Sequence, residues 1–172
     1  MKFFQKMLHL ALLLICIILQ VTFVGYLNIF HISLDLVMIA VLGITVYDGD
    51  VYGIIAGFFA GLILDIMTGQ IIGINALLFA LNAFAAGLIL KVGFEKKLLV
   101  NVLLIFSITE INLLLLTGSY YLFNFKVSFN TLGLELLTNP FFNILAMFVI
   151  FPVLRTGRKR KEEIGFIYKD KA

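Results

Sequence analysis

The sequence predicts an all-α integral membrane protein: six transmembrane helices joined by short loops, with both termini on the cytoplasmic side. Three observations carry this. Hydrophobic residues fill 62% of the 172 positions and charged residues only 13%, against about 45–50% and 25% in ordinary soluble domains. The apolar residues gather into six runs, 7–30, 34–47, 51–67, 71–92, 98–123 and 136–154, and about 20 residues suffice to cross about 30 Å of hydrocarbon. With the N-terminus inside, every one of the 13 Lys and Arg except Lys126 falls in or beside the cytoplasm, the side that basic residues near span ends favour.

The first run follows Lys2 and Lys6 and looks like a signal peptide, but no A-x-A-like cleavage site follows it, so it reads as an uncleaved span. Cys16, the single cysteine, lies inside it as a small core residue and has no intrachain disulfide partner. The second and third runs are short and are separated only by Asp48-Gly49-Asp50, a tight turn between antiparallel helices; tilt or local bilayer thinning accommodates their length. A five-span alternative strands either Glu95-Lys96-Lys97 or the basic tail on the wrong side. The membrane domain therefore covers 1–154, and 155–172 is a basic cytoplasmic tail carrying Arg158-Lys159-Arg160-Lys161. The tail reads as a topology anchor beside anionic lipid, at roughly 1 kcal/mol per basic residue near the surface. Nucleic acid is an improbable partner, because the tail has few aromatics and no recognisable module. The segment 124–138 reads as an external interfacial stretch.

The third span repeats glycine every four residues, Gly53, Gly57 and Gly61, and the row ends in Asp65. Small residues at that spacing let a second helix approach closely, either from this chain or from a partner's span. A carboxylate inside a membrane is functional or paired by default. The turn after Asp65, with Thr68, Gly69, Gly73 and Asn75, offers polar groups and flexible backbone, so Asp65 reads chiefly as a turn brace. Asp35 opens the second span, where a negative charge suits a helix N-terminus. Glu110 falls in the middle of the fifth span beside Thr109 and Asn112. It reads as a carboxyl facing protein, paired with the fourth span through Asn75 or Asn82, or with a partner.

Enzyme signatures are missing. The only histidines are His9 and His31, both read as interfacial, and there is no HExxH, cysteine cluster, phosphate loop or GxSxG. The expectation is a protein without catalytic residues, metal or cofactor.

The stretch from Asp35 through Gly61-Leu-Ile-Leu-Asp65-Ile-Met-Thr-Gly69 to Gly73-Ile-Asn75-Ala-Leu resembles the bacterial rod shape-determining MreD family. The resemblance extends to length, span number and the short basic end; the family's proline before Asp35 is replaced by Leu34. It implies a non-enzymatic scaffold of the cell-elongation machinery in the cytoplasmic membrane. Such a scaffold binds the bitopic protein MreC and works with MreB, RodA and an elongation-specific penicillin-binding transpeptidase to place lateral-wall peptidoglycan synthesis. The family is similar in fold to the S-components of energy-coupling-factor vitamin transporters, which supply the alternative function. Against that alternative stand the short external loops and the absence of any tryptophan to stack a vitamin ring.

Cysteine labelling checks the topology. In a chain with Cys16 replaced, a cysteine at Lys126 should react with a membrane-impermeant maleimide in intact cells, and one at Lys159 only after lysis. The reverse pattern overturns the six-span orientation.

Overall fold

The computed structural model describes residues 2–24, 34–69, 71–91, 98–125 and 129–169, and side chains over 6–23, 34–69, 71–91, 98–125 and 132–155. His31, Lys96, Lys97, Lys126 and the side chains of the basic tail lie outside them. Six helices make up this part: α1 (Lys2–Leu19, continued by a π-helical turn Gln20–Val24), α2 (Leu36–Asp48), α3 (Asp50–Thr68), α4 (Ile74–Lys91), α5 (Leu98–Leu122) and α6 (Phe129–Lys169). Five are long and apolar enough to cross a membrane. The last begins earlier than its apolar run, replacing much of the expected interfacial stretch. It also runs unbroken past residue 155, so no change of backbone separates the membrane domain from the tail.

The second run differs in kind from the others. α2 has only 13 residues, about 20 Å of rise against about 30 Å of hydrocarbon. Its composition, Leu-Val-Met-Ile-Ala-Val-Leu-Gly-Ile, is apolar on every side, which suits a helix enclosed by protein as well as one surrounded by lipid. Every residue from Val37 to Thr45 is buried, and α1, α3, α4 and α6 all pack around it. Bilayer thinning is not needed, because protein surrounds this helix. Its close contact with α6 depends on Gly43, where an added Cβ would stand 2.4 Å from Leu154 Cδ1. Nearby, Tyr47 and Phe151 meet edge to face, with ring centroids 5.8 Å apart.

α3 and α4 form the tightest hairpin. A Cβ on Gly61 would stand 2.4 Å from the Asn75 carbonyl oxygen, and one on Gly57 2.8 Å from the Phe79 carbonyl oxygen. At the other end of the hairpin a Cβ on Gly87 would lie 2.5 Å from Asp50 Cβ. Gly53 serves a different neighbour, since its Cβ would collide with Thr45 of α2. The glycine row is thus filled by this chain's own helices and is not open to a partner's span. Lipid gives apolar side chains no hydrophobic reason to associate, so the hairpin gains its stability from backbone-to-backbone van der Waals contact. Large apolar side chains such as Phe59, Leu77, Leu99 and Val149 cover the outside.

The close approach predicts an asymmetry between glycines. Gly61→Ala should lower the unfolding free energy in detergent by about 1–3 kcal/mol, the usual range for overpacking. Gly118→Ala, with nothing within 4 Å of the new Cβ, should be neutral or stabilising by up to about 1 kcal/mol through helix propensity. Equal thermal unfolding curves for the two variants would refute the packing account.

Candidate functional site

Asp65 lies on the last turn of α3 and is completely buried. α3 stops at Gly69, which takes the left-handed conformation with φ +67° and returns its N–H to the Asp65 carbonyl at 3.0 Å. Gly73, at φ +100°, starts the reversal into α4. The Asp65 side chain crosses this turn. Its Oδ2 accepts from the N–H groups of Gly73 at 2.8 Å and Ala76 at 3.3 Å, and its Oδ1 from the Asn75 N–H at 3.3 Å and Asn75 Nδ2 at 2.7 Å. Three orphan backbone donors at the start of α4 and one side-chain amide therefore converge on one carboxylate. Negative charge at a helix N-terminus is also favoured by the helix dipole. The result is an N-cap supplied by the preceding helix.

A second polar cluster secures the start of α2. Asp35 caps its own helix by accepting from the Met38 N–H at 3.0 Å. The Asp35 N–H donates to Asn143 Oδ1 at 2.9 Å, and Asn143 Nδ2 donates to Thr109 Oγ1 at 3.1 Å, which links α2, α6 and α5. From the π-helical turn after α1, Gln20 accepts from the Leu36 N–H at 2.8 Å and donates to the Leu34 carbonyl at 3.0 Å. Neither Gln20 nor Asn143 is singled out by the sequence reading. Their signal is that each is an amide within a predominantly apolar run, and such a residue in a membrane needs a partner.

The opposite end of the bundle gathers charge around the turn at Gly49. His9, on α1, is buried rather than interfacial. Its Nδ1 meets the Asp48 carboxylate and its Nε2 stands 3.3 Å from the Leu154 carbonyl, joining α1, α2 and α6. Asp50 pairs with Lys91 of α4 at 2.5 Å. Lys6 donates to the Tyr52 hydroxyl at 2.6 Å, with its ammonium 3.8 Å from the Tyr52 ring centroid.

Glu110 does not have the partner the sequence suggests. Asn75 is taken by Asp65, and Asn82 donates instead to Asn112 Oδ1 at 2.7 Å, because the helical rotation that points Asn112 inward turns Glu110 about 160° away, at roughly 100° per residue. Glu110 is half-buried; its Oε1 is inaccessible and has no hydrogen-bond partner among the described residues. It sits between the exposed Ser107 and Leu114 on the outer side of α5. No group of three or more metal-ligating side chains occurs among the described residues.

Together these features define a multi-pass helical membrane protein whose buried polar side chains mostly hold its own helix junctions. Residues 1–157 match the family model for the rod shape-determining protein MreD. The chain belongs to the MreD family and has a role in determining rod shape. No curated protein and no solved structure matches it significantly.

The Asp65 junction can be tested by removing its acceptors in steps. Asp65→Asn keeps one oxygen but places an amide against donors, and Asp65→Leu leaves all four donors without it. Buried donors left unsatisfied typically cost about 1–3 kcal/mol, so stability should fall in the order wild type, Asn, Leu, with amide exchange rising first at Gly73 and Ala76. Unchanged exchange there in Asp65→Leu would show that the carboxylate does not hold the turn.

Proposed function

We propose that the protein is a non-enzymatic scaffold of the bacterial cytoplasmic membrane that binds MreC. Through MreC it acts with MreB, RodA and an elongation-specific penicillin-binding transpeptidase to position lateral-wall peptidoglycan synthesis. The observation that carries the reading is the family match across residues 1–157. The site geometry agrees with a scaffold: Asp35, Asp65, Asn82, Asn112 and Asn143 are occupied with one another or with backbone. A vitamin transporter needs a polar pocket near the external face. In the proposed topology that end contains the saturated, solvent-excluded carboxylate of Asp65.

With Gly53, Gly57 and Gly61 filled from within, the partner face moves to α5. Glu110 there has an inaccessible carboxylate oxygen without a partner among the described residues, flanked by exposed Ile111 and Leu114. A transmembrane helix bringing a hydrogen-bond donor to that position satisfies the group and excludes lipid from it, since an unpaired carboxyl at mid-span is strongly disfavoured.

Depletion in a rod-shaped host should make cells widen and round. Unchanged shape combined with loss of uptake of one vitamin would favour the transporter class instead. For the docking face, Glu110→Leu should reduce MreC co-purification at least fivefold, a loss of about 1 kcal/mol, while the protein still inserts at normal levels. Undiminished co-purification moves the partner to another face.

A further inference from the structure

Between α1 and α3 the structure holds an elongated slot of about 410 Å³. Its floor includes Ile44 of α2 and its walls include Leu10 and Leu14 of α1 and Phe59 of α3, while Ala56 and Ala60 keep it deep by adding nothing beyond Cβ. One end carries Lys6 and Tyr52, at the boundary of the span Lys6–Phe23. We propose that this slot is a binding site for an anionic phospholipid, with an acyl chain along the apolar walls and the headgroup phosphate on the Lys6 ammonium.

Charge identifies the occupant. The slot lining also includes Asp48, which is engaged by His9, and among the described residues the next carboxylate along the chain, Asp50, is engaged by Lys91. Lys6 has no carboxylate partner among the described residues. Its hydrogen bond to the Tyr52 hydroxyl uses one of three N–H donors, and the ring face below it fixes the ammonium at the mouth of the slot. A fixed, exposed cation at the membrane surface favours lipids of net negative charge over zwitterionic ones, whose phosphate is already offset by their own amine. Size points the same way. The volume is near the lower end of the roughly 300–1,000 Å³ typical of small-molecule sites, and a helix about 10–12 Å across with its side chains does not enter it. This inference concerns a face other than that of Glu110 and stands independently of the proposed scaffold role.

The chain contains no tryptophan, so a single one reports its own lipid neighbours. Phe59→Trp places the probe in the slot wall, and Phe106→Trp places a control on the exposed side of α5. Each variant of the full chain is reconstituted in phosphatidylcholine vesicles containing increasing brominated-chain phosphatidylglycerol. Quenching at position 59 should reveal a preference for phosphatidylglycerol of about fivefold, the ratio expected from one charge near the surface. Position 106 should show none. Adding Lys6→Gln, which keeps a donor for Tyr52 but removes the charge, should abolish the preference at 59. Lipids retained by the tryptophan-free chain after detergent extraction, measured by mass spectrometry, should lose their phosphatidylglycerol enrichment in the same Lys6→Gln variant. The proposal is overturned by equal preference at 59 and 106, by a preference that survives Lys6→Gln, or by a position-59 signal that ignores lipid bromine and follows protein density, the mark of a helix from another molecule in the slot.

Discussion

A helix too short to reach both membrane surfaces by itself cannot leave its ends in hydrocarbon, and the arrangement of this protein depends on that constraint. Backbone N–H and C=O groups at membrane depth must find partners inside the protein. α2 meets the requirement with help from distant segments: Gln20 from the turn after α1, Asn143 from α6, and its own Asp35. At its other end Asp48 is held by His9, which also reaches the Leu154 carbonyl. Of the helices around α2, α1 and α6 are therefore fastened to both its ends as well as packed along its sides.

The α3–α4 hairpin solves a related problem by close contact. Glycines at 57 and 61 bring the α3 backbone against the Phe79 and Asn75 carbonyls. That proximity is what allows the short Asp65 side chain to reach across the turn to the start of α4. Packing and capping thus reinforce each other: a side chain at Gly61 would push away the backbone that presents the donors, and loss of the carboxylate would release the turn that holds the helices together. At the far end the Asp50–Lys91 pair closes the same hairpin.

Much of this was legible in the sequence, for reasons that can be located. Hydropathy marks the runs because a span needs continuous apolar length. The i, i+4 glycines mark a surface of close approach, and an acid ending that row beside a Gly-rich turn marks a polar junction. Sequence does not say which helix fills a groove, so the row admits a partner's span until Thr45, Phe79 and Asn75 are seen in it. Nor does it give helix rotation. Asn112 and Glu110 are two residues apart, yet one faces Asn82 and the other turns outward. His9 illustrates the same gap: its position near the chain start suggests an interface, while α6, about 145 residues later, encloses it. The full enclosure of α2 was hidden because a short buried helix and a short span have the same composition.

The separations along the chain between these partners also order the protein's biogenesis. The donors for Asp65 lie 8 to 11 residues downstream and leave the ribosome within about two seconds of it at about 5–20 residues per second. α3 and α4 can accordingly enter the lipid as one unit, with the carboxylate never facing hydrocarbon alone. Asn143, by contrast, comes 108 residues after the Asp35 amide it receives, so the entrance of α2 stays incompletely bonded until nearly the whole chain has been made. Synthesis therefore yields a finished hairpin early and a finished centre last, and a ribosome stalled before α6 releases a protein with its outer pair formed and its middle helix still unsecured.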